Sequence, residues 1–326
     1  MKKRFIAILL LFVITLGGCQ KSSIQFLSYQ DHVTTIKNDL GIDLSENDYY
    51  ARDLVIITED DNDTNDDFIS SKAAFLCDVT NNEAIYSKNI YEQLYPASLT
   101  KLMTAFVVLK RGELTDTVTI SYNASHIEES GAKVCGFEEG DTIKLDALLH
   151  SLLIYSGNDA GIAIAEHIGG SEEEFVKIMN SEAKKLGAVH TNFVNSHGLH
   201  DDNHYSTAYD VYLIFNELIK YDTFLNIINL DSYTANYFDK DKNEKDLTFN
   251  TTNLYHTQQE EAPEGISIIG GKTGVTFKAG NCLVLFFKDS NNIQYITVAL
   301  KAENNSVLYS DMDNLFSLVL DDDLGF

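Results

Sequence analysis

"YPASLTKLMTAFVVL", Tyr95 to Leu109, decides how the rest of the chain is read. Leu99, Leu102, Met103, Phe106 and Val107 recur with a 3.6-residue period, and this spacing predicts a helix with an apolar face. Pro96 suits a first helical turn, where its missing N–H costs nothing. Ser98 and Lys101 stand three apart near the N-terminal end, so both project from one side of that helix. A hydroxyl and an amine one turn apart on an otherwise greasy helix make sense if the amine acts on the hydroxyl.

Two more short patterns lie downstream. Ser156-x-Asn158 breaks "IKLDALLHSLLIYSGNDAGIAIAEHIGG" into two apolar helices, where either side chain could also cap the second helix. Lys272-Thr273-Gly274 falls in "ISIIGGKTGVTFKAGNCLVLFFKDSNNIQYITVALKA", which reads as three strands with tight connections. "KAAFLCDVTNNEAIYSKN" reads as a hairpin turning at Thr80 to Glu83, and "DTVTIS" and "DLVIIT" as strands. Helices are expected from Glu172 to Leu186, after the polar loop "TNFVNSHGLHDDNHYST", and in "YSDMDNLFSLVL". Strands at both ends with helices between predict an α+β layered domain whose sheet is assembled from both termini.

The chain has 326 residues and a formal net charge of −25, which argues against nucleic acid, since phosphate binding needs clustered Lys and Arg. Its start, "MKKRFIAILLLFVITLGGCQ", has a cationic head and an apolar run from Phe5 to Leu16 too short to span a bilayer. It reads as an export signal. "LGGC" resembles the bacterial lipoprotein signal, with Cys19 as the acylated residue, and the acyl chains would hold the protein on a membrane. Cys77, Cys135 and Cys282 lie in or beside apolar sequence and read as buried free thiols. From Gln20 to about Ser71 the chain is polar, culminating in "TEDDNDTNDD". Asp61, Asp63 and Asn65 are spaced like a calcium loop. Asp66 and Lys72 stand where that loop needs Gly and Glu, so the stretch reads as a solvated tether.

SxxK, SxN and KTG, in that order, are the signature set of β-lactamases and penicillin-binding proteins. The resemblance extends to "GNDAGIAIAEHIGGSEEEFVKIMN", "TNFVNSHGLHDDNHYSTAYD" and "GGKTGVTFKAGNCLV". From about Lys72 to Leu320 the chain resembles the serine-type D-alanyl-D-alanine carboxypeptidases, the low-molecular-mass penicillin-binding proteins. That resemblance implies an antiparallel sheet flanked by helices and joined to an all-helical subdomain, with the site between them. Together with the N-terminal signals, it gives an expected organisation of a signal peptide over 1–18, a lipid-anchored acidic tether, partly structured at most, over 19–71 and a catalytic domain over 72–326, on the outer face of the cytoplasmic membrane. It implies a hydrolase with no cofactor and no metal that acts on peptidoglycan stem peptides ending in D-Ala-D-Ala and is inhibited covalently by β-lactams.

The roles follow residue by residue. Ser98 is the expected nucleophile. Lys101 would be its base, made usable by burial and by the cation of Lys272. Ser156 would relay a proton to the leaving amine, and Asn158 would orient Lys101 and bind a substrate amide. By resemblance, the N–H groups of Ser98 and Val275 would form the oxyanion hole. Gly274 would let the strand pass close to the substrate. Lys272 and Thr273 would face the terminal carboxylate.

Two departures stand out. The arginines are Arg4, Arg52 and Arg111, so the late arginine with which some relatives clamp that carboxylate is missing. Ser196 also replaces a usual proline in "NSHGL". The rival constellation is His197, His200, Asp201, Asp202 and His204, which could suggest a zinc peptidase. These histidines lie in a Gly-containing loop rather than an HExxH helix. A β-lactamase would need an E-x-x-L-N segment, and none follows the SxN motif. An endopeptidase on peptide cross-links and a non-turnover penicillin sensor share the motifs and stay open as alternatives.

Overall fold

The computed structural model describes residues 54–57, 66–129 and 131–322. The expected export signal, Cys19, the triad Asp61, Asp63 and Asn65, and Arg52 lie outside the described residues.

Five strands form the main sheet: β1 (Ala73–Asp78), β2 (Glu83–Lys88), β7 (Ser267–Thr276), β8 (Gly280–Lys288) and β9 (Gln294–Ala302). Their order is β2-β1-β9-β8-β7, and every neighbouring pair is antiparallel. The strands come from both ends of the chain, as expected. The sequences of β1, β8 and β9 are apolar on consecutive positions because both faces of the sheet are covered. Ala73, Phe75 and Cys77 enter one core, whereas Ala74 and Leu76 enter another behind the sheet. The same alternation divides Cys282, Val284 and Phe286 from Leu283, Leu285 and Phe287. The rear core is closed by α8 (Asn305–Asp322), whose Leu308, Met312, Leu315 and Phe316 are buried there.

On the front, α1 (Thr100–Arg111) is the central helix, and every residue from Thr100 to Val108 is buried. It does not begin at Pro96: a 3₁₀ turn, Ala97–Leu99, precedes it and carries Ser98. Around it lie α2 (Tyr122–Ser125), α3 (Leu145–His150), α4 (Asn158–Gly169), α5 (Glu172–Lys185), α6 (Ala208–Leu218) and α7 (Asp222–Ile228). Helix α3 runs on into a wider π-type turn over Ser151–Tyr155.

The expected α+β class, with an antiparallel sheet flanked by helices, is what forms, but the second lobe is not all-helical as expected. The helical lobe also carries a four-stranded antiparallel sheet, of which the expected strand in "DTVTIS" supplies one member and the other three were not foreseen. It comprises β3 (Thr117–Thr119), β4 (Thr142–Lys144), β5 (Ser232–Phe238) and β6 (Glu244–Asn250), in that order. β5 and β6 each bury a single position, because one face meets solvent, so no continuous apolar run marks them.

"DLVIIT" was expected to be a strand, but Leu54–Ile57 pairs with no ladder. Its polar backbone is held by tyrosines instead. Val55 N donates to Tyr212 Oη at 2.9 Å, and Tyr209 and Tyr91 donate to the carbonyls of Val55 and Ile57 at 2.8 Å. Downstream, Ser70 N and Ser71 N donate to the buried Asp311 carboxylate on α8 at 2.8 and 2.7 Å. The packed body therefore extends upstream of the boundary expected at Lys72. Cys77, Cys135 and Cys282 are buried free thiols, as read.

Candidate active site

The 3₁₀ turn with Ser98 lies against β7. A Cβ added to Gly274 would come within 3.0 Å of Pro96 O and Ser98 N and 3.2 Å of Leu99 N. Gly274 thus lets the strand approach the nucleophile's own turn, rather than only the substrate. A second glycine secures the same turn from behind. Gly198, at φ +89°, faces the Ala97 carbonyl so closely that a Cβ would sit 1.9 Å from it. Ala97 itself holds a left-handed φ of 48° immediately before Ser98, a conformation that costs energy in a non-glycine residue.

Lys101 is fully buried beneath Ser98. Its Nζ is 3.1 Å from Ser98 Oγ, 2.7 Å from Asn158 Oδ1 and 2.5 Å from the carbonyl oxygen of His197. Asn158 Oδ1 and His197 O can only accept, so they take two N–H bonds. A neutral amine has just two, which leaves its lone pair for the Ser98 hydroxyl. Burial pushes the Lys101 pKa down from its ordinary value to about 7, even though Asp159 and Cys135 pull the other way.

The sequence reading gave Lys272 the role of repelling cation. The cation set against Lys101 is Lys133. Lys272 is itself driven well below the ordinary lysine range, first by burial and then by Lys101 and Lys133. Its Nζ donates to Ser156 Oγ at 3.0 Å and to Thr273 O at 2.9 Å. The Thr273 hydroxyl lies 2.5 Å from that of Thr252.

Ser156, at φ 72°, is another left-handed non-glycine residue placed at the site. Neither it nor Asn158 caps α4: the N-cap is Gly157 with no side-chain bond, and both side chains are committed to lysines. The expected capping role gives way because the N-cap position falls on Gly157, and the Ser156 and Asn158 side chains turn to the buried lysine amines instead.

Ser98, Ser156, Asn158, Thr273, Gly274 and Val275 line one cavity of about 900 Å³, with Lys101 and Lys272 buried behind its wall. Every catalytic and substrate-binding residue read from the sequence is therefore gathered here. Cys19 lies outside the described residues. Sequence reasoning missed Lys133, Thr252 and the His197 carbonyl, because none stands in a motif.

The loop imidazoles are engaged separately. His204 Nε2 is 2.7 Å from Thr100 Oγ1, His197 Nε2 is 3.5 Å from Glu172, and His200 Nε2 is 3.2 Å from Asp202. Among the described residues, no three His, Cys, Asp or Glu side chains converge as a metal site. Ser196, the departure from proline, is buried and donates its hydroxyl to Glu172 at 2.6 Å. Arg111 bridges to Glu182 at the far end of α1, so among the described residues no arginine serves the cavity.

The sheet with its rear helix, the helical lobe and the lysine-backed serine at their junction define the penicillin-binding protein class. The comparisons make this specific. The family model for D-alanyl-D-alanine carboxypeptidases matches residues 57–304, and the chain belongs to that family. The D-alanyl-D-alanine carboxypeptidase DacF of Bacillus subtilis is 34% identical over 76% of this chain and 62% of its own length. The corresponding enzyme DacC of Escherichia coli is 32% identical over 76% and 61%. The chain thus spans about three-fifths of these curated relatives. Among solved structures, a Streptomyces DD-transpeptidase superposes with a TM-score of 0.69 at 26% identity, over 76% of this chain and 98% of that one. Penicillin binding protein 5 from Haemophilus influenzae gives 0.67 at 29% identity, over 76% and 70%.

Proposed function

We propose that this protein is a serine D,D-carboxypeptidase that removes the terminal D-alanine from peptidoglycan stem peptides. The observation that carries the reading is the buried Lys101 amine, 3.1 Å from Ser98 Oγ, with two acceptors occupying its N–H groups. Neutral Lys101 takes the Ser98 proton as Oγ bonds to the carbonyl carbon of the penultimate D-alanine. The N–H groups of Ser98 and Val275 stabilise the oxyanion, a kind of interaction worth about 3 to 4 kcal/mol per donor. The C–N bond breaks as the proton passes through Ser156 to the leaving amine. Water then attacks the ester carbonyl, giving a proton to Lys101, which passes it to Ser98 Oγ as the acyl C–O bond breaks, so that the neutral amine and the Ser98 hydroxyl are both restored.

Lys272 has two acceptors, Ser156 Oγ and Thr273 O, and a third donor direction for the substrate carboxylate. That anion restores the charge that burial disfavours. With no arginine at the cavity among the described residues, the hydroxyls of Thr273 and Thr252 complete carboxylate recognition. The named relatives support this choice over an endopeptidase, and the intact Lys101 and Ser156 support turnover over a sensor.

Incubation with labelled penicillin should place the label on Ser98 and nowhere else, and a peptide ending in D-Ala-D-Ala should release D-alanine repeatedly. Label at another position, or release limited to one equivalent, contradicts the proposal. The export signal and Cys19 support lipid anchoring at the outer face of the cytoplasmic membrane. Cys19→Ser should then move the protein from the membrane to the soluble fraction, and unchanged partition contradicts the anchor.

A further inference from the structure

Lys133 is a cation that this scheme leaves without a task. It lines the cavity with Ser98, Asn158 and Gly274. Its loop is pinned on both sides: Lys133 O accepts the Asn158 N–H at 2.8 Å, and the Asp159 carboxylate holds Cys135 N and Gly136 N at 2.9 Å. The ammonium lies 4.2 Å from the centre of the Tyr155 ring, one residue before Ser156. That ring is its partner. Among the described residues no carboxylate forms an ion pair with it.

A partly buried ammonium beside two buried lysines is unfavourable in the empty site. Burial lowers the Lys133 pKa, and Lys133 in turn lowers those of Lys101 and Lys272. An arriving anion would relieve all three. The terminal carboxylate has its place at Lys272 and Thr273, and the scissile carbonyl has its place at Ser98. The rest of the peptide therefore has to extend from Ser98 along the same cleft, whose lining includes Lys133 as well as Val275 and Phe277.

We infer that Lys133 is a specificity-determining residue, which pairs with a second carboxylate on the side chain of the residue preceding D-Ala-D-Ala. The inference deepens the carboxypeptidase reading and rests on it for the orientation of the peptide. Lys133 binds this carboxylate as a point charge, so Arg should serve in its place and a neutral residue should not.

The test uses two peptides ending in D-Ala-D-Ala that differ at one group. The side chain of the preceding residue ends in a carboxylate in one and in the corresponding carboxamide in the other. Each is titrated as a competitor of Ser98 labelling by penicillin, which reads binding without turnover. Wild type should bind the carboxylate peptide at least about fivefold more tightly, Lys133→Ser should bind both alike, and Lys133→Arg should keep the preference. Removing the cation also changes the environment of Lys101, but that affects both peptides equally, so their ratio isolates the pairing. Equal binding by wild type, or a preference that survives in Lys133→Ser, overturns the inference. Preference without D-alanine release would retain the pairing and refute only the carboxypeptidase reading.

Discussion

The role of Lys101 as a base can be tested by Asn158→Asp, a near-isosteric change that places a carboxylate oxygen where Asn158 Oδ1 stands, 2.7 Å from Nζ. At an effective dielectric constant of about 20, two unit charges that close attract by roughly 6 kcal/mol. Desolvation of the new carboxylate offsets much of this, and an opposite charge in contact typically shifts a pKa by about one to three units. With a shift of about two units, the Lys101 pKa rises from about 7 to roughly 9. The sign is fixed: the base works when neutral, so activity is lost as pH falls through this pKa. At pH 7 the neutral fraction drops from about one half to about 1%, and acylation should slow about 50-fold. Raising the pH to about 10 should recover most of the rate. The assay is the second-order rate constant for penicillin acylation of Ser98 as a function of pH. An acid limb that stays near pH 7, or a loss of the same size at every pH, would refute the argument that this amine is the base.

Gly274→Ala should slow acylation by about tenfold or more with only a modest fall in Tm. The added Cβ meets backbone atoms of Pro96, Ser98 and Leu99, which cannot swing aside as a side chain could; a wild-type rate would contradict the close approach. Glu182, buried under Lys110, Arg111 and Lys185, tends upward through burial, but the hydrogen bonds from those cations hold its pKa down to about 2. A depressed carboxylate stabilises above its unfolded pKa, and that contribution is lost as pH falls through the folded value. Glu182→Gln should therefore cost about 2 kcal/mol at neutral pH, allowing for the partial exposure of the cations, with the gap closing towards pH 2 in denaturant titrations. Because burial holds the Lys272 pKa well below the ordinary lysine range, binding of a β-lactam carboxylate beside it in Ser98→Ala should be accompanied by proton uptake, read by calorimetry in buffers of different ionisation enthalpy. No uptake would place the carboxylate elsewhere.

Much of this protein is legible in the sequence because its signals are local. The 3.6-residue period of α1, the continuous apolar runs of β1, β8 and β9, and the order of SxxK, SxN and KTG each report what a short stretch must bury or present. β5 and β6 escaped because a half-solvated sheet leaves no apolar run, although "SYTANYFDKDKNEKDLTFN" does carry Tyr- and Thr-rich segments around a turn. Leu54–Ile57 misled in the opposite sense. Its apolar residues are buried as a strand's would be, but its backbone bonds go to tyrosine hydroxyls more than 30 residues away.

The sequence by itself determined which residue types do the chemistry and in what order the chain offers them. Only the tertiary structure decided their electrostatics. Three lysines separated by up to 171 positions meet in and behind the wall of one cavity, and a pKa depends on burial and on charges nearby in space, which spacing along the chain does not encode.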